Sequence, residues 1–405
     1  MPENTKEKTR PFRYLIRAIA VTALLAALAV SVAFISRFLC IPDSQSLDEA
    51  RILMLHKEPA DSIDVLLIGS SATYSGYSAA YAYEKYGFTS YPYAIKGATC
   101  TLWKPALKDA LRTQRPKLVV VDVFGGGYDR ELIETRSSQL YNLMNAVPFS
   151  EDKIKTAREI SSNLNNVSAA SMVFPFIKCH TNVPANLKHI RRRIDVERSG
   201  PSPLKGIETK SRCRDLADID ESSFSSDTVP LDDRTEALIR DFIEYCRSEN
   251  IDMLFIKFPT VLTEQDPDEL LVNLRANRIL EIAGEYGCGT LNMQKLFHEI
   301  GLKEQVDYYN HGHPNVRGQK KITDYLGRYI RDEMHVGPSS LDDSVRAEWD
   351  ESIEYYKAFV RLAEELMRQK KHVTFGDTPA VVRDLKRILD GEDIEKIAEK
   401  YHSDK

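Results

Sequence analysis

The hydrophobic pattern begins with one long run, AIAVTALLAALAVSVAFI over Ala18–Ile35, uncharged and interrupted only by Thr22 and Ser31. With the apolar residues just before it, this run can cross a hydrocarbon core of about 30 Å as a helix. Beyond it the apolar runs shorten to strand length. They recur at Asp64–Gly69 (DVLLIG), Lys117–Phe124 (KLVVVDVF) and Ile251–Phe258 (IDMLFIKF), with weaker ones at Tyr91–Ile95 and before Asn292 (CGTLNM). Short continuous runs of this kind fit strands buried on both faces. Helical stretches lie between them, at Lys104–Arg112, Arg234–Ser248 and Asp268–Tyr286, and a further helix is expected over about 319–333. Strands alternating with helices predict a three-layer α/β/α domain around a parallel sheet, spanning 61–335.

Three segments depart from this alternation. Residues 41–60 are polar and mixed and read as a stalk between the apolar run and the first strand. The middle, about 130–230, holds Ser/Pro-rich stretches and the basic run His189–Arg193, and reads as an insertion beside the functional end of the sheet. The basic run is expected to be a solvated face rather than an anion site. From 336 to 405 a linker, GPSSLDDS, leads into a charged helix over Val345–Lys371 and two shorter helices over Thr378–Ala398, a helical C-terminal extension.

Charge changes the picture at the first segment only. Lys6, Lys8, Arg10, Arg13 and Arg17 precede the apolar run and Arg37 alone follows closely. By the positive-inside rule, residues 1–40 form a cytoplasmic tail and transmembrane anchor, and the main domain lies outside the cell membrane. A cleaved signal peptide is the alternative, although its apolar core is usually shorter and ends in small residues, unlike Phe34–Phe38. A buried soluble helix is a further alternative. Cys40 could suggest lipidation, but Phe38 and Leu39 are bulky for that. The formal net charge of -5 over 405 residues excludes an electrostatic nucleic-acid binder. Six widely spaced cysteines, with no C-x-x-C pair, suggest no metal site and name no disulfide. No cofactor is expected.

In open parallel sheets functional groups collect at the carboxyl ends of the strands. There the first strand delivers Gly69-Ser70-Ser71 at the turn into the next helix. A serine at such a turn can be an exposed nucleophile with its own N–H near an oxyanion, or simply the cap of the helix. Near the end of the domain, DYYNHGHPNVRG over Asp307–Gly318 precedes a helix and carries a candidate base, His313. His311 competes with it, whereas His180 and His298 read as structural or surface residues.

Together the GSS turn and the H-x-N-x-x-G loop resemble the first and last blocks of the SGNH (GDSL-like) hydrolases, across about residues 60–335. The resemblance implies a flavodoxin-like parallel sheet. It implies Ser71 as nucleophile, with Ser70 in place of the Asp of the GDS form. His313 would be the general base, and the N–H groups of Ser71 and Gly97 would form the oxyanion hole. Two blocks depart from the family pattern. Asp122, before a run of three glycines, stands where the family's Asn would donate to the oxyanion, and an ionised Asp only accepts. The glycine run itself reads as a flexible loop, the alternative being that its backbone N–H groups replace the missing donor. Asn310, which can orient an imidazole but offers no charge, stands where an acid three residues before the His is usual, and Asp307, six residues before it, could take that part if the loop folds back; both are candidates. The function implied is an extracytoplasmic esterase or O-acyltransferase acting on cell-envelope polysaccharide. A membrane-bound acyltransferase would be a partner for transfer. The alternative is a catalytically degenerate protein of the same fold that binds glycan or organises an envelope complex. A flavodoxin-like nucleotide binder fits the strands but lacks a phosphate loop.

Overall fold

A computed structural model describes residues 10–41, 47–136, 138–214, 216–263, 265 and 267–403. Its centre is a five-stranded parallel sheet: β1 (Val65–Gly69), β2 (Ser90–Ala94), β3 (Leu118–Asp122), β4 (Asp252–Lys257) and β5 (Gly289–Asn292), in the order β2-β1-β3-β4-β5. Every pairing is parallel, from Gly69 opposite Ala94 to Asp122 opposite Ile256. The residues of β1, β2 and β3 are all buried, which is why these strands read as unbroken apolar runs. Helices cover the sheet, among them Trp103–Ala110, Asp233–Ser248, Pro267–Glu285 and Val316–Asp332. The chain order reverses direction between β1 and β3, and ligands of open α/β sheets bind at such a switch point.

The N-terminal helix, Arg10–Phe38, carries the predicted apolar run. Among the described residues one helical stretch, Arg13–Phe38, is long and apolar enough to cross a membrane, and its apolar window is not buried by the rest of the chain.

The stalk expectation is corrected for the residues the structure describes. Asp48–Leu55 form a helix whose every residue is buried, packed beside β2; positions 42–46 lie outside the described residues. The polar residues that suggested a stalk form a buried ion cluster instead. Arg51 bonds to Asp48 (3.0 Å), Glu208 (3.0 Å) and the carbonyls of Ala94 and Gly206, and lies over the Tyr74 ring. A buried Arg with this many acceptors stays charged, because each fixed negative group offsets part of its lost hydration. The basic run is likewise not wholly solvated. Arg191 is exposed, but Arg193 is buried and pairs with Glu49 and Glu197.

The C-terminal helices are present and are welded to the sheet domain. The long helix Asp343–Arg368 packs on Ala79–Tyr86, with Trp349 against Tyr83 at 5.1 Å between ring centroids. One buried cluster contains Ala80 and Tyr81, Leu204 and Ile207, and Phe359, Leu362, Phe375 and Leu385. The linker is pinned as well: Ser339 accepts from the Thr89 N–H (2.8 Å) and donates to Asp64 (2.5 Å). A short antiparallel ribbon joins Glu208–Lys210 to Thr374–Gly376.

Candidate active site

The turn after β1 assigns different tasks to its two serines. Ser70 is buried; its hydroxyl donates to Asp122 Oδ2 (2.9 Å) and accepts from the Ala72 N–H (3.4 Å), so Ser70 caps the helix Ser71–Gly76. Ser71, one residue on, opens that helix and faces a cleft. Close approach is what demands glycine before them. A Cβ on Gly69 would stand 2.1 Å from Thr73 Oγ1 and 2.6 Å from Asp122 Cβ.

His313 arrives from the opposite end of the domain. Tyr308–Asn310 and His313–Pro314 form a small antiparallel hairpin around His311-Gly312, which places Asn310 directly opposite His313. The hairpin is fixed to the segment after β4 by the Val261 N–H donating to the His311 carbonyl (2.7 Å) and Tyr308 Oη donating to the Pro259 carbonyl (2.9 Å). Tyr309 stacks on the imidazole, 5.4 Å between centroids.

The proton positions follow from this geometry. The Gly312 N–H, which can only donate, points at Asn310 Oδ1 (3.0 Å), so the amide presents its oxygen to the hairpin. The same oxygen lies 2.7 Å from His313 Nδ1, which must therefore carry the proton and donate. That leaves the Nε2 lone pair facing Ser71 Oγ at 2.7 Å, and the hydroxyl donates to it. Loss of ring hydration, reinforced by Lys210 and Lys96, pushes the His313 pKa down from the ordinary 6.5 to about 4. The neutral ring that a base requires is thus the stable form at neutral pH.

Of the other predicted residues, Gly97 lines the same cleft as Ser71, with φ +66. Asp307 does not join His313. It is buried, and its Oδ2 accepts from the Lys303 N–H (2.8 Å) and from Lys321 (2.7 Å). Lys321, on the following helix, holds the carboxylate beneath the hairpin, so Asp307 shapes the loop rather than orienting the imidazole. His311 borders the cleft, while His180 and His298 are exposed. Asn315, in the resemblance motif, caps the helix Val316–Asp332 by accepting from the Arg317 N–H (2.9 Å) and ties the loop together through Val306 O (2.8 Å).

Asp122 is not among the residues that line the cleft. It is buried and accepts from Ser70 and from the Phe124 N–H (3.2 Å), so it steadies the nucleophile turn from behind. Burial pushes its pKa up, and these donors act against that rise. The glycine run after it is not a flexible loop. It starts in a 3-10 turn, Phe124–Gly126, and packs so tightly that a Cβ on Gly125 would stand 2.1 Å from the Ala98 carbonyl.

The cleft has a volume of ≈ 530 Å³ and is walled by Phe124, Tyr128, Arg136, Arg214 and Glu269 besides the residues above. The Arg136 guanidinium lies over the Tyr128 ring at 4.2 Å, close to Gly97. Of these walls, Arg136 and Arg214 sit in the insertion, where no periodicity or motif in the sequence marks them. Among the described residues no group of His, Cys, Asp and Glu is placed to hold a metal, and all six cysteines are free.

No family model and no curated protein matches the chain. Among solved structures it is similar to a catalytic mutant of an acetylxylan esterase from Geobacillus stearothermophilus, at 14% identity over 67% of this chain and 96% of that one, TM-score 0.36. It is similar also to an acetyl xylan esterase from the rumen bacterium Butyrivibrio proteoclasticus, at 10% identity over 68% of this chain and 66% of that one, TM-score 0.29. At these values the likeness is one of partial architecture.

Proposed function

We propose that this chain is a membrane-anchored serine esterase or O-acyltransferase of the SGNH type. Its domain would lie outside the cell membrane and act on acyl esters of a cell-envelope polysaccharide or related glycopolymer. The observation that supports this most is the Ser71–His313–Asn310 chain of hydrogen bonds, 2.7 Å at each link, with the imidazole tautomer set for proton abstraction.

In the proposed reaction His313 Nε2 takes the Ser71 proton as Oγ attacks the ester carbonyl. The N–H groups of Ser71 and Gly97 meet the resulting oxyanion. Collapse breaks the ester C–O bond, and His313 returns its proton to the leaving alkoxide. The acyl group then sits on Ser71. Water attacks it in hydrolysis, or a sugar hydroxyl in transfer, with His313 again accepting the proton and returning it to Ser71 Oγ as the Ser71–acyl bond breaks. A membrane-bound acyltransferase would act as partner in the second case. Asn310 holds the ring in place but supplies no charge to the imidazolium, and Arg136 is the nearby side chain that could supplement the oxyanion donors. A second reading, glycan binding without turnover, draws on that missing charge.

Labelling full-length protein with a fluorophosphonate separates the two. The expected result is an adduct on Ser71, lost in Ser71→Ala and strongly reduced in His313→Ala. No labelling under conditions where a related esterase reacts would overturn the enzymatic reading.

A further inference from the structure

Outside the N-terminal helix, seven large apolar side chains stand exposed among the described residues: Phe149, Phe174, Phe176, Ile177, Leu187, Val306 and Leu389. The first five fall within 149–187, a stretch of short helices in the insertion. Phe149 is 66% exposed and Phe174 52%, and their rings lie 5.8 Å apart. Soluble surfaces scatter such residues singly; a cluster marks something that covers it.

The chain itself indicates what covers this one. The end of the N-terminal helix is clamped to the same stretch and its neighbours. Arg37 pairs with Glu197 (2.7 Å) and donates to the Ala146 carbonyl (3.2 Å). Just past the helix, Asn186 Nδ2 donates to the carbonyls of Leu39 (2.7 Å) and Ile41 (3.1 Å), and Asn182 Nδ2 donates to Ile41 (3.1 Å). Leu39, Cys40 and Ile41 are buried. The domain is therefore held against the helix end rather than hung from it on a free tether. A helix of 29 residues is about 44 Å long, more than a hydrocarbon core of about 30 Å, which brings its last turns to headgroup depth. Lys188 and Arg191, both exposed, lie just beyond the apolar stretch, where cations can meet lipid phosphates.

We propose that the segment 149–187, through the Phe149–Phe174 pair and the exposed Phe176, Ile177 and Leu187, rests in the headgroup region of the bilayer that the N-terminal helix crosses. This proposal rests on the membrane reading of that helix. The domain is then docked on the membrane surface, and its cleft is held at a set distance and orientation to the bilayer.

The test uses full-length protein in liposomes, with tryptophan placed singly at Leu25, Phe174, Phe176 and Leu389. The native Trp103 and Trp349 are buried and serve as background. Quenching is read with lipids brominated near the headgroup end or near the tail end of the acyl chain. Phe174→Trp and Phe176→Trp should lose emission mainly to the shallow bromines, Leu25→Trp mainly to the deep ones, and Leu389→Trp to neither. If Leu25→Trp is quenched while the two patch variants match Leu389→Trp, docking is refuted and a protein occupant, such as a second copy, takes its place. If Leu25→Trp is itself unquenched, the membrane reading falls and the docking proposal with it.

Discussion

Replacing Asn310 by Asp tests the electrostatics of the site at one atom. The carboxylate would take the place of an oxygen that already accepts from His313 Nδ1 at 2.7 Å and from the Gly312 N–H at 3.0 Å, so the geometry should survive. Two unit charges about 4 Å apart attract by about 4 kcal/mol at an effective dielectric of about 20. An opposite charge this close moves a pKa by about 1–3 pH units. The sign follows from the working form of the base. Catalysis needs neutral His313, so the rate falls as pH drops through the folded pKa, about 4 in the native protein. In Asn310→Asp the imidazolium is stabilised, and the acid limb should rise to between about 5 and 7. The same attraction acts on the imidazolium forming in the transition state. If half of it is realised there, about 2 kcal/mol, the plateau rate gains roughly thirtyfold. The assay is kcat/KM for para-nitrophenyl acetate across acid and neutral pH, with Ser71→Ala as blank. Asn310→Ala, which removes orientation without adding charge, should lower the plateau instead. A limb unmoved near its native position, with an unchanged plateau in Asn310→Asp, would refute the coupling of Asn310 to His313.

Four further outcomes concern stability. Gly125→Ala drives a Cβ into the Ala98 carbonyl and should cost about 1–3 kcal/mol or more in denaturant unfolding, with activity falling because Ala98 adjoins Gly97. Gly200→Ala, where no atom lies within 4 Å of the added carbon, should stay within about 0.5 kcal/mol. Arg51→Met strands Asp48 and Glu208 without their cation and should destabilise by about 3–5 kcal/mol, read as a lowered Tm. Phe359→Ala empties a fully buried ring site against Phe375 and should cost about 3–5 kcal/mol; a single unfolding transition that shifts as a whole would show that the C-terminal helices fold with the sheet.

The sheet, its alternation with helices and the apolar first helix can all be read from the order of residues. Strands buried on both faces must be apolar throughout, and a helix without covering protein must be apolar all round, so both leave one-dimensional signatures. Ser71 and His313 were legible because each sits in a short motif that local backbone geometry demands. The rest depends on contacts made in the folded chain. Whether Asp48–Leu55 formed a stalk or a buried helix depended on Arg51 meeting Glu208, a partner 157 residues away, so the local polarity misled. Asp307 and Asn310 stood as rival partners for His313 until the hairpin register set Asn310 opposite the imidazole and Lys321 drew Asp307 away. The glycine run read as flexible because glycine permits freedom in the chain; in the fold the same lack of a side chain serves close packing against Ala98. Contacts of this kind join residues far apart in the chain, and a one-dimensional pattern does not register which of them meet.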